Sequence, residues 1–355
     1  MLTFLLVLLI ISLLIISHEL GHFYAARWLK IKVEEFGFGF PPKIWSKTKN
    51  GITYTINALP FGGFVKIYGE HGEGENDTKS FISRPVWQRF TVLAAGVFMN
   101  LVLAWFLFSL GSIIGVPQID DQAPQSIPIT IISILPHTPA ESSGLKFGDK
   151  ILELRGRDLT FHPENEKDII DFISAYRGEE VTLKIQRGSE TKEIKAVPRG
   201  NYPEGEGPLG IALARLIVTR TAWYKAPWEG FKTLLNGITV TVEGLGYLLK
   251  ELFIKHNTSV PVSGPVGIFM LIGDTSSLGI AYLLQFVGML SINLAILNFL
   301  PIPALDGGRI LFLLIEKARR KKFNPDWENF AHAAGFILLL IIMVLVTYKD
   351  IVKVF

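Results

Sequence analysis

The sequence contains no cysteine among its 355 residues. That absence excludes disulfide cross-links and thiolate ligands, so any metal site has to be built from histidine and carboxylate. Charge is also scarce, at 19% of residues, and 35 Lys and Arg against 32 Asp and Glu leave a formal charge of +3 without a long basic tract. On that balance no nucleic acid is expected as a partner. What the chain has in excess is apolar residues, 49% of the total with a mean hydropathy of +0.36, gathered in runs without any ionisable side chain. Disorder and collagen are excluded, and the lipid bilayer is the expected surrounding.

The first apolar run begins at Met1, and its helical pattern continues through His18 to Lys30. It lacks both a basic start and a small-x-small cleavage site, so it reads as a retained span and not as a cleaved signal peptide. Further runs at Phe90 to Val116, Leu278 to Leu305 and Ala333 to Tyr348 bring the expected transmembrane helices to four, for a hydrocarbon core about 30 Å thick. Lys and Arg crowd the loop from Lys30 to Arg84 and the link from Arg309 to Lys322, which assigns both to the cytoplasm. Both termini and the segment Pro117 to Ser277 then lie outside. The expected blocks are 1–116 with the first two spans, 117–208 as an extracytoplasmic domain with its linker, 209–277 as an amphipathic region, and 278–355 with the last two spans.

Residues Ile129 to Pro198 alternate β-rich runs (129–135, 150–154 and 181–186) with one helical stretch, Glu166 to Tyr176, which predicts a small α+β domain. After the Pro/Gly-rich linker 201–208, apolar residues recur at Trp228, Phe231, Leu235, Ile238, Val242, Leu245, Leu249 and Leu252, with Glu229, Lys232, Asn236 and Glu243 off the seam. This predicts an amphipathic helix that lies on the membrane surface or braces the spans. Between the first two spans, Ile52 to Pro60 and Gly62 to Ile67 read as a membrane-associated β-hairpin turning at Pro60 to Gly63. His71 falls in a polar stretch, Glu70 to Asp77, and is read as solvated loop.

The chemistry concentrates on the first span. His18-Glu19-Leu20-Gly21-His22 sets two imidazoles four residues apart, on one face of a helix, where both can reach one divalent metal. Glu19 beside them can take a proton from an attacking water and pass it to a leaving amine. Two histidines and a glutamate inside an apolar helix cost several kcal/mol unless paired or metal-bound, on the order of 2–3 each, so a functional role is expected. A third protein ligand is needed, and few ionisable groups reach membrane depth. Asp306 is the candidate, at the end of Asn298-Phe-Leu-Pro301-Ile-Pro303-Ala-Leu-Asp306-Gly-Gly308, where two prolines break the helix. His18 lies about 25 Å along its helix from the outer end, which brings it to the cytoplasmic face where Asp306 also arrives.

These residues resemble the site-2 protease family of intramembrane zinc metalloproteases, in its bacterial PDZ-containing branch, that of the regulator of sigma-E protease. The resemblance covers nearly the whole chain: the His-Glu-x-x-His, Gly96-Val-Phe-Met-Asn100, Ser263-Gly-Pro-Val-Gly-Ile268, the Asn298 to Gly307 motif and Lys349-Asp350-Ile351 stand in the family's order. It implies that His18, His22 and Asp306 bind Zn2+, that Glu19 is the general base, and that Asn298 holds the substrate backbone. Pro301 and Pro303 beside Asn298, together with Asn100 and Val65 on the expected strand edge, are further candidate substrate contacts. It also implies a membrane-reentrant β-loop between the first two spans and a PDZ domain over Ile129 to Pro198. In that domain Gly144 and Leu145 would offer backbone N–H groups to a C-terminal carboxylate. One such domain is found, where the best-known members have two.

The expected fold is therefore a polytopic α-helical membrane protein of the bacterial inner membrane, with four spans, a β-hairpin and one inserted extracytoplasmic PDZ domain. The expected activity is cleavage of single-span membrane proteins, such as anti-sigma factors or signal-peptide remnants, after a first protease has cut them. Two other classes are weighed: a catalytically silent membrane adaptor acting through its PDZ domain, and a tethered peptidase acting on soluble peptides. Intact Glu19 and Asp306 speak against the first, and the depth of the site against the second.

Overall fold

The computed structural model describes residues 2–70, 72–120, 123–157, 159–203, 206–254, 264–321, 323 and 325–354. His71 and Ser263 lie outside the described residues. The elements run α1 (Leu2–Trp28), β1 (Val33–Lys49), β2 (Ile52–Ile67), α2 (Val86–Ile114), β3 (Val116–Ile119), β4 (Ile129–Ile134), α3 (Pro139–Ser142), β5 (Lys150–Gly156), β6 (Leu159–Phe161), α4 (Glu166–Ala175), β7 (Val181–Arg187), β8 (Glu190–Ala196), β9 (Ile211–Thr219), α5 (Ala226–Phe253), α6 (Pro265–Leu278), α7 (Ile280–Phe299), α8 (Asp306–Arg319) and α9 (Pro325–Val354). Two compact units emerge, one of residues 1–110, 223–273 and 284–355, the other of residues 111–222 and 274–283.

Among the described residues, four helices are long and apolar enough to cross a bilayer: Thr3–Trp28, Val86–Ile114, Ile280–Phe299 and Asp326–Val352. The third is shorter than expected, because Pro301 and Pro303 cannot continue the helix and the chain turns through 300–305 before α8. α1, α2, α8 and the β1–β2 sheet share one apolar cluster that includes Phe23, Ala26, Val92, Leu93, Ile310 and Leu313.

β1 and β2 form more than the expected hairpin. Each long strand bends, so four runs lie side by side in the order 43–49, 52–57, 33–38, 63–67. The tight turn is Asn50-Gly51, both at positive φ (53° and 77°), not Pro60 to Gly63. Two central residues at positive φ match the right-handed twist of flanking strands, and Asn-Gly adopts that geometry most readily. Run 63–67 is left as one edge of the sheet, next to α1.

The packed face of α5 is Gly230, Leu234, Gly237 and Ile238, of which Ile238 alone belongs to the expected apolar seam. Leu234 and Ile238 join Ala104, Phe108 and Ile292 of α2 and α7, and the Thr241 hydroxyl donates to Asn293 Oδ1 at 3.0 Å. Trp228, Leu235, Val242, Leu249 and Leu252 of the seam are exposed. Two apolar faces on one helix fit a helix packed on spans and bathed in lipid.

The second unit is built on a seven-stranded antiparallel sheet of order β3-β9-β4-β5-β7-β8, with β6 on β5. The strands form because inward positions are β-branched or leucine: Val181, Leu183 and Ile185 alternate into the core and are fully buried, and Ile151 and Leu154 face them across the ladder. α4 begins with a capping box in which Asn165 Oδ1 accepts from the Asp168 N–H at 2.9 Å and Asp168 Oδ2 accepts from the Asn165 N–H at 3.1 Å. β9 lies beyond the expected boundary at residue 208, yet it pairs with β4 along 211–215 and with β3 along 216–219.

Candidate metal centre

α1 brings His18, Glu19 and His22 to one place by helical spacing alone, and the turn after α7 delivers Asp306 from far along the chain. His18 Nε2 lies 2.9 Å and His22 Nε2 3.3 Å from Asp306 Oδ2, and the two imidazole nitrogens are 3.1 Å apart. Both histidines are 7% exposed. The Nδ1 of His22 donates to the Val92 carbonyl at 2.8 Å, because a carbonyl can only accept; in the neutral ring this leaves Nε2 as a bare lone pair. Asp306 Oδ2 is buried and has no aligned hydrogen-bond donor among the described residues.

Three acceptor atoms thus converge without a proton shared in good geometry. Around a tetrahedral divalent cation with bonds of about 2.0–2.1 Å, ligand atoms stand about 3.3 Å apart, so the donor set fits such an ion. The helix crossing leaves room for it. Gly21 faces Ala95 O and Gly96 lies under both imidazoles, where an added Cβ would come within 2.5 Å of His22 Nε2.

Glu19 points from the same helix toward the sheet edge, and its Oε2 accepts the N–H of Val65 at 3.0 Å. Asn298, at the end of α7, places Nδ2 3.5 Å from His18 Nε2. Asn100 of α2 is fully buried. Its Nδ2 sits 3.5 Å from His18 Nδ1, and its Oδ1 has no hydrogen bond among the described residues. A half-turn of this amide exchanges the two atoms. Oδ1 then accepts from His18 Nδ1 and leaves Nε2 bare toward Asp306. The backbone here is pinned from both sides: Ser17 donates to Met99 O at 3.3 Å and Ser291 to Asn100 O at 2.8 Å.

A cavity of about 240 Å³ opens on this cluster. Its walls include Phe64, Val65, Ala304 and two residues the sequence reading missed, Arg309 and Glu70, which form an ion pair. Arg309 follows Asp306 by three positions on α8 and so shares its face, a spacing that could have revealed it. Glu70 carries no such signal. Pro301 and Pro303 shape the turn behind Asp306 and are not among the residues lining the cavity.

In the second unit, the N–H groups of Gly144 and Leu145, expected to meet a peptide carboxylate, donate to Glu141 O and Ala140 O at 3.1 Å each. Leu145 is 4% exposed in the sheet core, and the Gly144 carbonyl accepts from Arg187 Nη2 at 2.8 Å. The groove of this unit, about 350 Å³, runs between α4 (Ile170, Ile173) and the stretch Leu209 to Leu213, with Glu166 and Glu206 at its rim.

Comparison with known proteins agrees with this chemistry. Residues 6–342 match the profile of Peptidase family M50. A Fusobacterium nucleatum protein whose name proposes a zinc metalloprotease is 34% identical, over 99% of each chain. A Clostridium perfringens protein named in the same way is 34% identical over 97% of each chain. The Regulator of sigma-W protease RasP of Bacillus subtilis is 29% identical over 98% of each chain.

Proposed function

The chain belongs to Peptidase family M50, the site-2 protease family, and from that premise we propose that it is a zinc endopeptidase that cuts transmembrane segments of other membrane proteins. The observation that carries this reading is the triangle of His18, His22 and Asp306 with Glu19 beside it, on a helix apolar enough to span a bilayer.

His18 Nε2, His22 Nε2 and Asp306 Oδ2 would hold the zinc. When bound, zinc supplies Lewis-acid activation of the attacking water and of the scissile carbonyl. Glu19 takes the proton from that water and returns it to the leaving amine. Asn100 fixes the ring of His18, and the Val92 carbonyl fixes that of His22. Asn298 donates its amide to the substrate backbone near the scissile bond. A transmembrane helix hides its amides in i to i−4 bonds, so a few residues must be drawn into extended form. The edge of run 63–67 offers such a segment a strand to pair with, beside Glu19.

The second unit is proposed as an extracytoplasmic PDZ domain, with a peptide end seated between α4 and β9 in place of the expected Gly144 turn. Both termini are proposed to lie outside and the metal centre near the cytoplasmic face of a bacterial inner membrane. Substrates with a single span, already trimmed by another protease, suit a site walled by helices and a strand edge. The name of RasP supports a regulatory protease of this kind.

The test is purification in detergent, measurement of metal content, and cleavage of a single-span substrate with Glu19→Gln as control. One zinc per chain with Glu19-dependent cleavage inside the span supports the reading. Cleavage confined to soluble peptides, or none at full zinc occupancy, refutes it.

A further inference from the structure

α7 ends at Phe299 and α8 begins at Asp306, so the metal ligand is delivered by the turn 300–305. Its backbone donors are few. Pro301 and Pro303 have no N–H. The N–H groups of Leu300, Ile302 and Leu305 bond locally, to Leu297 O at 3.1 Å, Leu300 O at 2.7 Å and Ile302 O at 3.2 Å. Ala304 has φ of +82°, a conformation an L-residue adopts only under constraint. Its N–H donates to Nδ1 of His332 on α9 at 2.8 Å.

The histidine is itself held in place. Its ring packs edge-on against Phe312 of α8, with centroids 5.7 Å apart, and Glu328 Oε1 lies 4.0 Å from its other nitrogen. One turn further along α9, Gly335 meets the same loop: an added Cβ would lie 2.3 Å from Pro303 O. The rest of the spanning part of α9 is almost wholly exposed, with 6% of its most apolar window buried. Contact at His332 and Gly335 therefore stands out as a grip on the turn, at two adjacent backbone positions from two residues on one helical face.

We propose that His332 is a positioning residue for the metal centre. By accepting the Ala304 N–H it holds the left-handed turn that aims Asp306 Oδ2 at the two imidazoles, while bare Gly335 lets α9 approach close enough to do so. The role is outside the first ring of ligands, where partners that orient a ligand set metal retention as well as rate. It rests on Asp306 being a ligand.

Zinc release from the full chain into excess chelator, followed as metal content over time, tests it. His332→Leu, which keeps bulk and removes the acceptor, is expected to release zinc about 10-fold faster or more. His332→Asn, whose Oδ1 can occupy the place of Nδ1, is expected to stay within about 2-fold of the parent. Gly335→Ala is expected to behave like His332→Leu and reads the same turn if His332→Leu does not fold. Parental release rates in both His332→Leu and Gly335→Ala overturn the proposal. So does His332→Asn releasing as fast as His332→Leu, which would assign the effect to packing on Phe312. Asp306→Asn in the same assay separates the underlying reading: full zinc retention there refutes Asp306 as a ligand, whatever His332 does.

Discussion

The backbone N–H of Val65 donates to Oε2 of Glu19 at 3.0 Å, joining the free edge of the β1–β2 sheet to the residue placed as general base. In an antiparallel ladder a residue's N–H and C=O point the same way, so at Val65 both face α1 and neither faces Phe36, its partner across the sheet. A substrate strand seated on that edge, as proposed, would compete with Glu19 for this N–H. Pairing would release the carboxylate where the scissile bond lies.

Proline at Val65 removes that N–H while leaving Glu19 intact. Cleavage of a stable transmembrane helix is expected to fall far more than cleavage of one already loosened by Gly or Pro, because only the former needs the edge to draw it open. Equal losses on the two substrates, with zinc content unchanged, would leave the sheet edge as no more than a membrane anchor.

Glu19→Gln should keep zinc near one per chain and lower cleavage by about 10²–10⁴-fold, the usual contribution of a general base. Asp306→Asn should instead weaken metal retention, since a neutral amide is the poorer ligand. Metal analysis beside a cleavage assay tells them apart. Parental activity in Glu19→Gln would end the proposed mechanism.

Asn100→Leu removes the amide that steadies His18 Nδ1 and is expected to cost about 10–100-fold in zinc affinity, as orienting partners of metal-bound histidine do. Asn100→Asp, able to accept from Nδ1, should lose less. If leucine and aspartate variants bind zinc equally, the amide does not act through His18.

Cysteines placed at Lys49 and Lys321 should be shielded from a membrane-impermeant thiol reagent in intact cells, and one at Arg187 should react. The parent has no cysteine to confuse the readout. The reverse labelling pattern would invert the proposed orientation.

The sequence by itself determined what is local or compositional. Helical periodicity puts His18 and His22 on one face, hydropathy marks four spans, and alternating β-branched residues mark β4, β5 and β7, since each is fixed by neighbours within a few positions. Asn50-Gly51 was equally local, a turn signal that the longer hairpin reading passed over. Tertiary structure decided what depends on distant partners. Which face of α5 packs depends on Ser109 and Ile292 lying against Gly230 and Gly237. The groove of the second unit arose from β9, whose partners on β4 lie 77 to 86 residues upstream (Ile134 with Ile211, Ile129 with Arg215), a pairing that no local pattern encodes. The grip of His332 on Ala304 likewise spans 28 residues. A hydrogen bond to a strained backbone leaves no mark in composition or periodicity, because the histidine is chosen by the turn it meets and not by its neighbours in the chain.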